Sequence, residues 1–499
     1  MSRPIFRLLL AVIIAGALSL GAERAQAADG AITKELLASL NSDDSIRGDE
    51  SSKAWQVLFD AYLKMSPPPQ PVGPLFNLDT IWPGMSDWSS VMQWAKSNPG
   101  MADAVIQASE RAIIGLPYGC QNVPSTYAEK GLCIDIDVSE GQRTLSFGYL
   151  DAVDVIAAYC TAEIYRRLES GDTDGGIKLM MAQLTVMRMF CDRQFMDEKL
   201  SNILMLTRCL SNARDCFWKY MDQISVEQFQ QIAMREIPYL RPDRARLLIP
   251  EADRLVADAV LQDVFDEVTG DPIPERFAVV FTRIQAEQEP LTRLGAAKRW
   301  RNIAMQHGSF EASRERLKLI YDDWWRRWRL REYGDLVTYP SEFDKTNAMR
   351  YAGVLLSIEN IQQLFLIRNN LRVAVYGTAV SAALCAFKRD NGSYPASIDN
   401  RATRLYGSYL SKKMDADPYY YREELNGLDS FRYRVLRKET SLDVGVDRLW
   451  LEAGEALLYS LGGNQEDDLG AEHVDGGDEQ DIVLWPPVKA LLRQEGFIE

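Results

Sequence analysis

The chain has 499 residues, of which 46% are hydrophobic and 25% are charged, a composition typical of folded globular proteins. Its 71 acidic and 56 basic residues give a net charge of −15, which argues against a nucleic acid partner because an acidic surface repels the phosphate backbone. The only two histidines are His307 and His473, so a zinc site built from several histidines is excluded within one chain.

The first 27 residues have the order of a secretory signal peptide. Arg3 and Arg7 form a basic start, residues 8–20 are an uncharged apolar run, and Ala25-Gln26-Ala27 places small residues where a signal peptidase cleaves. The apolar run is shorter than the roughly 20 residues that span a bilayer. We therefore expect cleavage before Ala28, export to the periplasm or cell envelope, and no membrane span in the mature chain. An uncleaved anchor is the alternative.

Residues 28–140 are expected to form amphipathic helices followed by an irregular region. The proline-rich stretch 67–71 predicts a stiff, extended break between the two. Near the end of this region Cys120 and Cys133 flank a turn-rich loop, which makes them the expected disulfide pair in an oxidising compartment.

The remaining cysteines are expected to be buried. Seven cysteines in all leave at least one that is unpaired or paired between chains. Four lie in segments of helical pattern, where a small buried side chain is the usual role, and the fifth lies in an apolar segment: Cys160, Cys191, Cys209, Cys216 and Cys385.

Residues 141–365 are expected to form a helical bundle or a short α-solenoid. Apolar residues repeat at helical spacing in consecutive segments, and the glycine-rich turn 171–176 separates the first two into a helical hairpin. Ser225 followed by Gln228 has the pattern of a capping box at the start of another helix. The four aromatic residues of segment 321–328 recur at the spacing of one helix face, which favours core packing over a sugar- or lipid-binding surface.

Residues 366–499 are expected to form a small α+β domain. Segment 366–389 predicts a long helix with an apolar middle that packs against a sheet, and segments 431–436 and 456–462 have the composition of β-strands. The loop 464–481 that follows holds eight acidic residues and no lysine or arginine. The expected fold class is therefore mainly α, with a small C-terminal head in which a long helix packs on an antiparallel sheet.

Short motifs follow one another in a distinctive order in this C-terminal region. A Gly-x-Tyr-Pro turn after the long helix is followed by an Asp-Pro-aromatic segment, a strand tyrosine, a Tyr-Ser-x-Gly strand end and an acidic loop that closes on Asp-Ile. The residues that carry these motifs lie within 370–487 and are Gly392, Tyr394, Pro395, Asp417, Pro418, Tyr433, Tyr459, Ser460, Gly462, Asp481 and Ile482. Their order resembles the globular head of the major pseudopilin of type II secretion, with 440–454 as an insertion between two strands.

The resemblance implies a calcium site, because in the pseudopilin family the acidic loop binds calcium. The ligands implied here are the carbonyl of Leu461 and the side chains of Asn464, Asp467, Asp468, Asp478 and Asp481. The bare chemistry agrees, since calcium takes six to eight oxygen ligands and eight acidic side chains in one short loop repel one another without a cation. The alternative is a solvated acidic loop.

Three functions are compatible with these patterns. The first is an exported structural or binding protein of the cell envelope with a calcium-stabilised head. The second is a hydrolase or lyase that uses paired carboxylates, with Asp322 and Asp323 or Asp135 and Asp137 as pairs. The third is an accessory component of a type II secretion-like apparatus, which implies an envelope or secretion-apparatus protein as partner. We assign no catalytic residue, because the chain contains no phosphate loop, dinucleotide fingerprint or nucleophile elbow.

Overall fold

The computed structural model describes most of the chain beyond the predicted signal peptide. The described residues are 32–69, 80–139, 142–240, 247–288, 295–329, 339–398, 405–411, 414–444, 447–471 and 480–498. Over these ranges the protein is mainly α-helical, with small antiparallel sheets towards the C-terminus, so the expected fold class is confirmed at this level. Residues 1–27 lie outside the described residues.

Short helices form the N-terminal region. Residues 32–40 are helical, and they are followed by α1 (Trp55–Tyr62), α2 (Trp88–Ser97), α3 (Pro99–Ser109) and α4 (Ser125–Ala128). A two-stranded antiparallel hairpin then leads into the long helices, formed by β1 (Asp135–Ser139) and β2 (Gln142–Ser146). We did not predict this hairpin, although Ile136 and Val138 are buried and alternate with polar residues as in a half-buried strand.

Three long helices follow, and they are α5 (Tyr149–Glu169), α6 (Thr173–Phe190) and α7 (Met196–Lys219). The predicted hairpin of α5 and α6 is confirmed, and the Asp172 carboxylate caps α6 by accepting the N–H of Gly175 at 3.1 Å. The predicted capping box is also present, because Ser225 and Gln228 each bond the other's backbone N–H at the start of α8 (Val226–Gln231). From there a π-helical turn, Ile232–Glu236, continues into a last turn, Ile237–Tyr239.

A second group of helices completes the helical region. These are α9 (Ala252–Val264), α10 (Pro274–Gln288), α11 (Ala296–Ala304), α12 (Phe310–Arg329) and α13 (Ala352–Ser357). On α12 the side chains of Tyr321, Trp324 and Trp328 are buried, so core packing of this aromatic face is confirmed.

The C-terminal region begins with α14 (Gln362–Asn391), which ends at Gly392 in the left-handed conformation, φ 77°. The strands that follow are β3 (Ala416–Arg422), β4 (Gly427–Ser430), β5 (Arg432–Val435), β6 (Thr440–Val444), β7 (Asp447–Leu451), β8 (Ala456–Ser460) and β9 (Ile482–Trp485). Strands β5, β8 and β9 form an antiparallel sheet in the order β5-β8-β9, while β3 pairs with β4. The predicted insertion 440–454 contains the β6–β7 hairpin, and α15 (Val488–Gln494) is the last described helix.

Helix α14 joins the C-terminal sheets to the helical region. Arg214 on α7 donates a hydrogen bond to Thr378 Oγ1 at 2.9 Å. Gly377 meets β9 so closely that a Cβ there would lie 2.5 Å from Leu484 Cδ2. Residues Ala352–Asn391 are long and apolar enough to cross a membrane, but 83% of the most apolar window is buried inside the protein, as in a core helix. One face of the C-terminal sheet therefore shares the core of the helices, while the β6–β7 hairpin, the other face of β8 and β9, and α15 enclose a second, smaller core.

Candidate metal centre

The predicted calcium loop connects β8 to β9, and its two ends lie against each other. Pairing of Ser460 with Ile482 holds the strand ends together. Gly462 has φ +65°, and a Cβ at this position would lie 1.8 Å from the carbonyl oxygen of Gln480. Only glycine fits this contact, so the loop returns to within van der Waals distance of its own start.

Asp481 is buried at the end of this loop, and only 2% of the residue is exposed. Its Oδ2 accepts a hydrogen bond from the N–H of Gly470 at 2.7 Å, while its Oδ1 is buried and accepts none from the described residues. Burial raises the pKa of Asp481 to about 7, and the nearby carboxylates of Asp467 and Asp468 contribute to the rise, which main-chain N–H groups partly offset. A buried carboxylate oxygen without a partner is unfavourable unless a cation or a proton satisfies it.

Three other predicted side chains lie within the described residues, and they are exposed or half-buried and already bonded to neighbours: Asn464, Asp467 and Asp468. Asp467 accepts a hydrogen bond from the Tyr459 hydroxyl at 2.8 Å and pairs with Arg432 Nε at 3.3 Å. Asp468 Oδ2 accepts from Asn464 Nδ2 at 3.1 Å. To bind an ion, Asp467 and Asp468 would each exchange one of these contacts for a metal bond, which is a small rearrangement of an exposed loop.

The structure brings only part of the predicted ligand set together. Among the residues that the structure describes, no group of three or more His, Cys, Asp or Glu side chains is placed to hold a metal ion. Calcium also takes amide and carbonyl oxygens, and the prediction includes Asn464 and the carbonyl of the buried Leu461. Asp478 lies outside the described residues, as does the rest of 472–479. The described residues thus fit a cation at one point, the unpartnered Oδ1 of Asp481.

No protein-family model, no curated protein and no solved structure matches this chain. The pseudopilin resemblance therefore stays a prediction. Residues that carry it do make specific contacts: the hydroxyl of Tyr433 donates to the carbonyl of Pro395 at 2.7 Å, and the Tyr394 hydroxyl accepts a hydrogen bond from Trp485 Nε1 on β9 at 3.0 Å. These contacts tie the turn after α14 to β5 and β9, so the motif residues have a physical role in this chain whatever its relatives.

The two acid pairs considered for a hydrolase are surface carboxylates. Asp322 is exposed, and Asp323 forms an ion pair with Arg327 at 2.9 Å on the same helix. On β1, Asp135 is exposed and Asp137 accepts a hydrogen bond from Thr33 at 3.2 Å. A groove of about 470 Å³ lies between α1 and α3, and neither pair lines it.

A buried charged cluster in the helical region was not predicted. Glu198 accepts hydrogen bonds from the hydroxyls of Tyr118 and Tyr149 at 2.9 and 2.8 Å, and Arg193 Nε lies 3.1 Å from Glu198 Oε1. The guanidinium carbon of Arg193 lies 4.1 Å from the ring centre of Tyr118. These contacts neutralise the buried carboxylate and link the N-terminal region to α7, which is a structural arrangement.

The predicted cysteine pair is placed for a disulfide. Cys120 and Cys133 are bonded, with their Cα atoms 5.1 Å apart, within the usual range for a bridge. The other five cysteines are buried and are not in a disulfide: Cys160, Cys191, Cys209, Cys216 and Cys385.

Proposed function

We propose that the protein is an exported structural or binding protein of the cell envelope whose C-terminal head is stabilised by one calcium ion in the β8–β9 loop. The observation that carries the proposal is the buried Oδ1 of Asp481, which accepts no hydrogen bond from any residue that the structure describes. A divalent cation at this oxygen would satisfy it and offset the repulsion from Asp467 and Asp468. Asn464, Asp478 and the Leu461 carbonyl complete the proposed ligand set.

Export is proposed from the order of residues 1–27, and the Cys120–Cys133 pair supports it because disulfides persist in oxidising compartments. A structural or binding role is favoured because buried charged side chains of the helical region bond groups inside the core, as Arg193 bonds Glu198 and Lys199 bonds the Cys191 carbonyl. The expected partner is another envelope or secretion-apparatus protein, which the pseudopilin resemblance implies.

Direct metal titration of the mature full-length chain tests the calcium site. Protein treated with chelator and then dialysed is titrated with CaCl₂ in a calorimeter, and we expect one ion per chain. MgCl₂ should bind more weakly, because magnesium loses its water ligands reluctantly and demands a near-octahedral shell. Saturable binding of neither cation would show that the acidic loop is a solvated surface.

A further inference from the structure

Asp417 is a fully buried carboxylate outside the proposed ligand set. Its Oδ1 accepts hydrogen bonds from Ser460 Oγ at 2.7 Å and from the N–H of Tyr419 at 2.9 Å. Its Oδ2 accepts the N–H of Leu461 at 3.0 Å. A buried carboxylate is tolerated when donors satisfy it in this way.

The donors to Asp417 lie where the metal loop leaves the sheet. Ser460 is the last residue of β8, and Leu461 is the first residue of the loop. Ser460 Oγ also accepts the N–H of Gly462 at 3.4 Å, and Gly462 is the residue that contacts the Gln480 carbonyl at the other end of the loop. Contacts therefore run without interruption from Asp417 on β3 to the residue that precedes Asp481.

We infer that Asp417 is a positioning residue for the calcium site: it fixes Ser460 and Leu461 so that the Leu461 carbonyl and Asp481 meet at one ion. The inference rests on the proposed function and assigns a role to a residue that the ligand set does not include. Both oxygens of Asp417 accept hydrogen bonds from the protein, two of them from Ser460 and Leu461 at the start of the loop, so we assign Asp417 to orienting the loop and not to the ligand set. Residues that hold metal ligands in this way affect affinity without contacting the metal.

A purely structural link between β3 and β8 would behave differently. In that case loss of the Asp417 contacts would lower the stability of the metal-free and the calcium-bound protein equally, and the affinity for calcium would not change. Calcium affinity is therefore the measurement that separates positioning from general stabilisation.

The experiment compares three variants of the full-length chain. Asp417→Asn keeps the size of the side chain but replaces one acceptor oxygen by an NH₂ group, which cannot accept a hydrogen bond from the donors that surround it. Ser460→Ala removes one of these donors and leaves the carboxylate in place. Asp415→Asn is the matched control, because it removes the same charge two residues away. Asp415 accepts a hydrogen bond from Ser430 at 2.8 Å and lies outside the contacts that link Asp417 to the loop.

Calcium dissociation constants from calorimetric titration decide the question. Asp417→Asn is expected to weaken binding by about 10–100-fold, the range for partners that orient metal ligands, and Ser460→Ala by less. Asp415→Asn should bind as the unmodified chain does. If Asp417→Asn does not fold, the calcium affinity of Ser460→Ala alone decides the question: weaker binding supports the positioning role, and unchanged binding overturns it.

The outcomes separate this inference from the proposed function. Unchanged affinity in Asp417→Asn and Ser460→Ala, with tight binding by the unmodified chain, would overturn the positioning role and leave the calcium site standing. Equal weakening in the Asp415→Asn control would also overturn it, because the effect would then be one of net charge. No binding by the unmodified chain would refute both.

Discussion

Replacement of Asp481 by asparagine is expected to remove the calcium-dependent part of the protein's thermal stability. Asparagine keeps an oxygen for the Gly470 N–H but removes the charge that the buried site presents to the ion. The metal-free variant should be at least as stable as the metal-free parent, because the parent buries a carboxylate oxygen that no described residue bonds, near the carboxylates of Asp467 and Asp468.

The size of the effect follows from linkage. A ligand that binds only the folded state contributes about 2.7 kcal/mol at a hundredfold excess over its Kd. Unfolding entropy is about 2.1 cal/mol/K per residue, so a mature chain of about 470 residues that melts as one unit should gain about 3 °C in Tm. The same free energy acting on residues 366–499 alone would raise the Tm of that unit by about 10 °C.

Differential scanning calorimetry of the full-length chain, with calcium and with chelator, measures both the shift and the number of transitions. The control is Asp443→Asn on the β6–β7 hairpin, where Asp443 forms an exposed ion pair with Arg448 at 2.8 Å. The control should keep the calcium-dependent shift, and Asp481→Asn should lose it. An equal shift in Asp481→Asn and the parent would refute the assignment of Asp481 as a ligand.

Three further predictions concern other parts of the chain. N-terminal sequencing of the exported protein should begin at Ala28; an uncleaved N-terminus on membrane-bound protein would contradict export as a mature soluble chain. Non-reducing peptide mapping should find Cys120 linked to Cys133, a closure worth about 3 kcal/mol; alkylation of both thiols without reductant would exclude the bridge. His307 accepts a hydrogen bond from the N–H of Gly353 through Nε2, and burial lowers the pKa of its imidazole. The unfolded chain therefore binds this proton more tightly than the folded chain does, and the free energy of unfolding should fall as the pH drops below about 6.5. His307→Gln, which can still accept that N–H, should flatten this part of the Tm–pH profile, and an unchanged profile would show that other groups cause it.

Local patterns in the sequence were enough to predict much of the fold. The hairpin of α5 and α6, the capping box at Ser225 and the strands at β5 and β8 depend on spacing and composition within about ten residues, and all are observed. The β1–β2 hairpin was missed although its strands are as long as β8, because the two strands straddle the expected domain boundary at residue 140.

The polar contacts that matter most could not be predicted, because their partners are far apart in the sequence. Asp417 bonds Leu461 across 44 residues, and Tyr118 bonds Glu198 across 80 residues. The residues next to Asp417 and Tyr118 in the sequence do not indicate which distant residue each of them bonds. The acidic loop, by contrast, is conspicuous in the sequence from its charge, and the pseudopilin resemblance implied Asp481 as one of its ligands.

The shared core changes what calcium binding should do to the molecule. Considered from sequence, residues 366–499 form a head that the ion would stabilise by itself. In the structure, however, Arg214 of α7 bonds Thr378 of α14, and Asp215 of α7 forms a buried ion pair with Arg493 of α15 at 3.1 Å. A head that unfolds alone would break the Arg214–Thr378 hydrogen bond and the buried Asp215–Arg493 ion pair, and breaking a buried ion pair costs several kcal/mol. We therefore expect one cooperative transition that calcium shifts as a whole; two transitions, with only one sensitive to calcium, would show that the head unfolds independently despite these contacts.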